Sequence, residues 1–286
     1  ENKDKIFYIV RRREVDVGLF SFFIVFVNQV KNAVDKGYIP IIDMQNNENN
    51  YLKKEEIGHV NAWEIFFKQP MGYSLQDIKH SKNIVIGSGH CDELFPFDDV
   101  KYLLDSEGGI AEYKEIVKQY FQLSEEAQQE VDNTYARLID REDKVLGVLA
   151  RGTDYTSIKP SGHPVQPTLE QLFCEVDRVL KEYRCNKIFL GTEDYDIYTA
   201  FCKRYMGKVI TNRNDFVEYH GEKSIGKLIN LQMADVKKEG MDYLVTIVIL
   251  SMCHCFVGGN PSGTAGVILL EKGFEYKYIF DLGLYD

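Results

Sequence analysis

Three short segments carry side chains suited to binding a phosphate or a sugar, and each directly follows a predicted strand. They are residues 149–155 (LARGTDY), 191–194 (GTED) and 258–266 (GGNPSGTAG). In open α/β sheets, ligands bind beyond the carboxyl ends of the strands. The three segments are therefore the first candidates for a functional site.

In the first segment, an apolar strand ends abruptly in Arg151 and Gly152. An arginine presents a planar fork of donors that matches the oxygens of a phosphate, and Asp154 is spaced to hold that fork in position. The alternative is an ordinary ion pair at the end of a strand.

The second segment places carboxylates at a strand end, after Thr192. Glu193 or Asp194 is suited to accept hydrogen bonds from a nucleobase or a ribose hydroxyl. Asp194 and Asp196 also form a D-x-D sequence, which some sugar transferases use to hold a divalent cation. Their side chains face the same way only in an extended chain, so we predict no metal and keep a metal-dependent transferase as an alternative.

The third segment is a glycine-rich turn between a strand and an apolar helix. Glycines let the backbone approach a phosphate closely, and the amides that open the next helix supply donors and a positive dipole end. Ser262 or Thr264 adds a hydroxyl, and Asn260 and Gly263 lie beside them. The P-loop lysine is missing, which argues against classical nucleotide hydrolysis. A tight strand-to-helix turn without a ligand is the alternative. Together, the three segments predict a nucleotide-sugar pocket.

Strands alternate with helix-length segments along the whole chain, which is typical of α/β layers with mainly parallel strands. We predict strands at residues 5–10, 38–43, 83–88, 144–150, 187–191, 208–211, 255–258 and 278–281. A capping box at Thr168 and Gln171 predicts a helix that extends to about Tyr183. The charged residues 140–143 predict a hinge, so we place an acceptor-side domain at residues 1–142 and a nucleotide-sugar-binding domain at residues 143–286.

Composition excludes several classes of protein. The 286 residues include 34 Lys and Arg against 44 Asp and Glu, a net charge of −10, which argues against nucleic acid as a partner. The longest apolar runs fall short of a membrane-spanning helix, so we expect no transmembrane segment, although peripheral membrane association is compatible with the sequence. Six cysteines in mostly apolar surroundings read as reduced core residues, which favours a cytoplasmic location. The oligomeric state is not readable from the sequence.

The order and spacing of these motifs resemble the fucosyltransferase superfamily, which includes the α-1,6-fucosyltransferases, the nodulation fucosyltransferases and the protein O-fucosyltransferases. Its H-x-R-x-x-D motif lies over residues 149–154, its A-T-D-D strand end is similar to residues 191–194, and its C-T-F-S-S segment falls on residues 258–262. His163 and Pro164 before a helix resemble the α-1,6 branch, and Gly18 and Ser21 open a helix as in the family.

The resemblance implies two Rossmann-like domains that face a cleft, the GT-B architecture. It also implies metal-independent, inverting transfer of fucose from GDP-fucose to a glycan acceptor, without a cofactor. By position, Arg151 would neutralise the β-phosphate of the leaving GDP, Glu193 or Asp194 would read guanine, and Ser262 with neighbouring amides would bind the diphosphate.

Two positions depart from the family pattern. Leu149 replaces the motif histidine, which leaves the nucleotide open, and Lys159 stands where the α-1,6 enzymes have a glutamate proposed as the base. A lysine ordinarily carries its proton at pH 7 and cannot take one from a sugar hydroxyl. The candidates for a base are then Asp43, Asp154 and His163.

The sequence thus predicts a bacterial-type glycosyltransferase. The alternatives are a transferase that uses another nucleotide sugar and a non-catalytic nucleotide-sugar-binding protein. The catalytic candidates are Arg151, Asp154, Lys159 and His163. The candidates for binding the nucleotide sugar are Gly18, Ser21, Arg151, Gly152, Thr192, Glu193, Asp194, Asn260, Ser262, Gly263 and Thr264.

Overall fold

A computed structural model describes residues 2–14, 17–89, 107–152, 158–213 and 235–286. Its contacts divide the chain into two compact units, residues 1–129 with 233–241 and residues 130–232 with 242–286. The domain boundary between residues 142 and 143 stays a prediction.

The first unit contains a parallel sheet in which the described strands lie in the order β2-β1-β3. Its elements are β1 (Phe7–Val10), α1 (Leu19–Asp35), β2 (Ile39–Ile42), a 3-10 turn (Lys54–Glu56), α2 (Trp63–Phe66), β3 (Ile84–Ile86), α3 (Glu107–Tyr120) and the start of α4 (Glu125–Leu138). Helix α1 packs on β1, β2 and α3. Its apolar residues are buried on nearly all sides, as expected of a helix between a sheet and another helix.

Aromatic rings fill the core of the first unit. Trp63 and Phe67 stack with their ring centroids 4.4 Å apart, and Phe26 meets Trp63 edge to face at 5.4 Å. All three side chains are fully buried. Aromatic pairs in these geometries stabilise a core beyond the area they bury, so the cluster is structural.

The second unit contains a parallel sheet in the order β6-β5-β4-β7-β8. Its elements after α4 are β4 (Val145–Leu149), α5 (Leu169–Glu182), β5 (Lys187–Gly191), α6 (Tyr195–Arg204), β6 (Val209–Ile210), α7 (Val236–Ser251), β7 (Cys255–Gly258), α8 (Ser262–Leu270) and β8 (Tyr276–Ile279). The first residues of α7 are assigned to the first unit and the rest to the second. The order of the strands reverses between β4 and β7, where open sheets form a crevice for ligands.

The register brings three strand ends to one level. Leu149, the last residue of β4, lies opposite Gly191 on β5 and opposite Gly258 on β7. Two glycines let α7 approach this part of the sheet. A Cβ added to Gly147 would lie 3.0 Å from Leu250 Cδ2, and one added to Gly191 would lie 2.8 Å from Thr246 Cγ2. Helix α7 therefore packs closely against the central strands at these two positions.

The predicted α/β class with parallel strands is confirmed. Strand β8 begins two residues earlier than predicted, because its pairing with β7 starts at Tyr276, opposite Cys255. The prediction that the cysteines are core residues is confirmed for Cys185, Cys253 and Cys255. It is wrong for Cys174, which is exposed on α5. Cys202 is only half-buried, and Cys91 lies outside the described residues. No helix in the described ranges combines the length and hydropathy needed to cross a membrane.

The capping box at the start of α5 is confirmed. Thr168 Oγ1 accepts a hydrogen bond from Gln171 N at 3.3 Å, and Gln171 Oε1 accepts one from Thr168 N at 2.9 Å. We expect Thr168→Ala to lower the free energy of unfolding by about 1 kcal/mol, since it leaves a helix donor without its cap. Thr168→Ser keeps the hydroxyl and should lose much less. Urea unfolding of the three proteins measures this, and equal losses in both variants would contradict the role of the cap.

Candidate functional site

The residues that follow β4, β5 and β7 lie side by side at the carboxyl edge of the second sheet. Beyond the last paired residues of the strands, Ala150 N still donates to Gly191 O at 2.9 Å. Pairing thus continues from β4 into the loop that begins at Arg151. The structure brings together Arg151, Gly152, Thr192, Glu193 and Asp194 from the first two predicted segments.

Glu193 connects the two loops. Its Oε1 lies 3.5 Å from Arg151 Nε and accepts a hydrogen bond from Gly152 N at 3.3 Å. The side chains of Arg151 and Glu193 are only 18% and 9% exposed. Removing one partner of a largely buried ion pair leaves an uncompensated charge, which destabilises the fold. Glu193 thus contacts both the guanidinium of Arg151 and the chain after β4.

Asp194 is held by its own helix. It is the N-cap of α6, where its Oδ1 accepts from Asp196 N at 2.9 Å and from Ile197 N at 3.0 Å. Thr192 Oγ1 in turn accepts from Asp194 N at 3.2 Å. The Asp194 carboxylate also lies against Gly152, where an added Cβ would come within 2.2 Å of Oδ2. Only a glycine at position 152 lets the two loops approach this closely.

The D-x-D sequence is part of this helix start rather than an extended segment, because Asp194 caps α6 and Asp196 lies in its first turn. Among the described residues, no group of three or more His, Cys, Asp and Glu side chains is placed to share a metal ion. Metal-independent chemistry stays a prediction.

The turn after β7 leads directly into the start of α8. The helix begins at Ser262 after the N-cap Pro261, which gives no side-chain cap, and its first turn has no acidic residue. Thr264 Oγ1 donates to Gly259 O at 2.8 Å, so the hydroxyl proton of this candidate is used inside the turn. Gly263 lies against α7, because an added Cβ would be 2.2 Å from Tyr243 Oη. The half-buried Ser262 and the uncapped amides remain as the donors of this turn.

The loop between β4 and α5 carries the other catalytic candidates. Asp154 lies outside the described residues. Lys159 is exposed and adopts a left-handed backbone conformation with φ 48°, and His163 is also exposed. The backbone of His163 pairs with the end of the chain, since its carbonyl accepts from Tyr285 N at 2.9 Å.

The remaining candidates lie in the first unit. Gly18 is the N-cap of α1. Ser21 holds Arg12, whose Nη1 donates to Ser21 O at 2.7 Å and to Ser21 Oγ at 2.9 Å. The carboxylate of Asp43 accepts from Gln45 N and Asn46 N within its own turn. Ser21 and Asp43 thus have structural partners within this unit.

Gln166 lies at the same edge of the second sheet, and the sequence reasoning missed it. Its side chain is 6% exposed, and an added Cβ at Gly259 would be 2.3 Å from its Oε1. A glutamine two residues before the capping threonine resembles any loop residue, so the sequence gives no sign of its burial. Only the pairing of this loop with the end of the chain reveals it.

Because Gly152 has no room for a side chain, Gly152→Ala should lower the free energy of unfolding by about 1–3 kcal/mol, as overpacking does. Asp194→Gly in the same protein removes all three side-chain atoms that the added Cβ would meet, and glycine is well tolerated at an N-cap. The double variant should then lose less than the sum of the two single losses. Chemical unfolding measures the three variants, and strict additivity would contradict the contact between residues 152 and 194.

Comparison with known proteins identifies the fold. No protein-family model matches the chain, and no curated protein matches it by sequence. Among solved structures, fucosyltransferase NodZ from Bradyrhizobium is similar with a TM-score of 0.57 at 14% identity, over 93% of this chain and 94% of that one. POFUT1 in complex with GDP is similar with a TM-score of 0.54 at 12% identity, over 98% of this chain and 100% of that one. POFUT1 in complex with GDP-fucose gives a TM-score of 0.54 at 11% identity, over 96% and 98%. The resemblance read from the sequence motifs is therefore confirmed at the level of the fold, and the chain has the α/β fold of the GT-B fucosyltransferases.

Proposed function

We propose that this protein is a glycosyltransferase that moves a sugar from a nucleoside diphosphate to a glycan acceptor, with fucose from GDP-fucose as the first candidate donor. The transfer is inverting and needs no metal ion. Two observations support the donor: the fold is shared with fucosyltransferases, and one of the similar structures is a complex with GDP-fucose. We also propose that residues 1–142 form the acceptor-side domain, that the reaction needs no cofactor, and that the protein is cytoplasmic.

The observation that carries the proposal is the placement of Arg151. It follows β4, the central strand, and β4 borders the point where the strand order reverses. The uncapped start of α8 follows β7, the neighbouring strand on the other side of that point. A diphosphate bound in the crevice would meet a guanidinium from one loop and backbone amides from the other, both of which suit an anion.

This arrangement also suits the chemistry of transfer. When the bond between the sugar and the β-phosphate breaks, negative charge develops on the leaving diphosphate. Fixed donors contribute most at that moment, because they are already oriented and partly screened from water. Arg151 is fixed by Glu193, and the α8 amides are fixed by their helix. In a chain of net charge −10, this local group of donors is what makes binding of an anion favourable.

Among the candidates for the base, Asp43 is the least suitable. Its Oδ1 accepts from two backbone amides and its Oδ2 from Asn46 Nδ2 at 2.9 Å, so its lone pairs serve the turn. Asp154 and the exposed His163 remain as candidates for deprotonating the acceptor. Lys159 carries a positive charge, so we assign it to attracting the anionic donor and not to taking a proton.

We expect GDP to raise the melting temperature more than UDP, CDP or ADP, with or without EDTA, because a ligand that binds only the folded state stabilises it. Arg151→Ala should weaken GDP binding about 10- to 100-fold, the loss typical of a hydrogen bond to a charged group. Arg178→Ala is the matched control, since Arg178 lies on α5 and pairs with Glu175 and Glu182.

Equal shifts for all four nucleotides, or none, would contradict the assignment of the donor. Loss of the GDP shift in EDTA would contradict metal independence. Binding of GDP-fucose without release of GDP in the presence of glycan acceptors would favour the non-catalytic alternative.

A variant of Glu193 distinguishes two possible roles of its carboxylate, positioning Arg151 or reading the base. If Glu193 positions Arg151, Glu193→Gln weakens binding of every nucleoside diphosphate by a similar factor, about 3- to 10-fold. It should then have little further effect in the Arg151→Ala background, because the two residues act through one contact. Calorimetric titration of the single and double variants measures this. A loss confined to GDP would show instead that Glu193 reads the guanine base.

A further inference from the structure

Two buried acceptor oxygens flank the crevice between β4 and β7. Gln166 Oε1 and Asn260 Oδ1 have no hydrogen-bond partner within the described part of the chain. Gln166 is 6% exposed and Asn260 is 9% exposed. The two residues come from the loops on either side of the crevice, one before α5 and one after β7.

The orientation of the Gln166 side chain is fixed. Its Nε2 donates to Pro164 O at 2.9 Å, which identifies the other atom of the amide as the oxygen. Its backbone N donates to Tyr285 Oη at 3.3 Å, and Val165 N donates to Gly283 O at 2.9 Å. The end of the chain thus holds the loop, and the carbonyl oxygen of Gln166 faces the backbone of Gly259.

Asn260 follows Gly259 directly, so both acceptors border the same turn. A buried acceptor without a donor lowers the stability of a folded protein, and most such groups in proteins are paired. Two of them beside one turn, at the carboxyl edge where open α/β sheets bind their ligands, indicate that a donor arrives from a ligand.

We propose that Gln166 and Asn260 bind hydroxyl groups of the nucleotide sugar, an inference that rests on the proposed function. The chemistry selects the group. A phosphate offers only acceptor oxygens and would be repelled by two carbonyl oxygens, whereas a hydroxyl donates. The acceptors are buried and neutral, so the group that reaches them is small and uncharged. The ribose and the transferred sugar both carry such hydroxyls. By recognising one of them together with Asn260, Gln166 is a residue that determines specificity.

Gln166→Met and Asn260→Ala test this by calorimetric titration with GDP, 2′,3′-dideoxy-GDP and GDP-fucose. We expect each variant to bind those ligands that carry the recognised hydroxyl about 3- to 10-fold more weakly, which corresponds to the loss of one hydrogen bond between neutral groups. Gln166→Met also removes the hydrogen bond from Nε2 to Pro164 O, so a modest fall in the melting temperature of this unliganded variant is expected and does not decide the question. The affinity decides it, because a merely structural role would lower the melting temperature and leave the affinity for all three ligands unchanged.

The ligands distinguish the two sources of the hydroxyl. If the ribose binds, the variants weaken GDP and GDP-fucose alike and leave 2′,3′-dideoxy-GDP unaffected. If the transferred sugar binds, only GDP-fucose is weakened. Gln171→Met and Asn186→Ala are matched controls, because Gln171 caps α5 and Asn186 accepts from Lys144 N at the opposite end of the sheet. Neither should change any affinity.

Unchanged affinity of both variants for all three ligands, while the wild type binds them, would overturn this inference alone and would assign the two oxygens to buried water. Failure of the wild type to bind any of the three would overturn the proposed function, and the inference with it.

Discussion

The register of β4 against its two neighbours is the constraint on which the site depends. Leu149 lies opposite Gly191 and Gly258, so three strands end at one level and the loops that follow them meet. Slipping one strand by a residue would move every side chain to the other face of the sheet, where it would no longer fit the helices packed there. Gly147 and Gly191 add to this constraint, because only glycines let α7 pack closely against the central strands.

An ion pair largely shielded from water makes this edge of the sheet a candidate site. The Arg151 side chain is only 18% exposed, and its Nε lies 3.5 Å from the carboxylate of Glu193, which also accepts from Gly152 N. The neighbouring carboxylate, Asp194, is occupied in capping α6. Of the two acidic residues at this edge, one thus contacts Arg151 and the other caps α6.

Local signals in the sequence predict most of the helices and strands. The features that the sequence does not predict depend on tertiary contacts. The capping box of Thr168 and Gln171 is a pattern four residues long, so its helix is predictable. The strand ends at Arg151 and Glu193 are also visible, because apolar runs stop there. Their pairing is not, since it depends on the register of β4 and β5. The burial of Gln166 depends on contacts with Tyr285, more than a hundred positions away along the chain.

The central claim is that a nucleoside diphosphate binds at the carboxyl edge of the second sheet, between the loops that follow β4 and β7. Hydrogen exchange of the backbone amides with and without saturating GDP tests it most directly, because bound phosphate protects the amides that donate to it. The account predicts that GDP slows exchange in peptides that cover residues 150–152 and 259–264, and that Arg151→Ala shifts this protection to GDP concentrations about 10- to 100-fold higher. Binding of GDP with protection elsewhere and none in these two loops would contradict it.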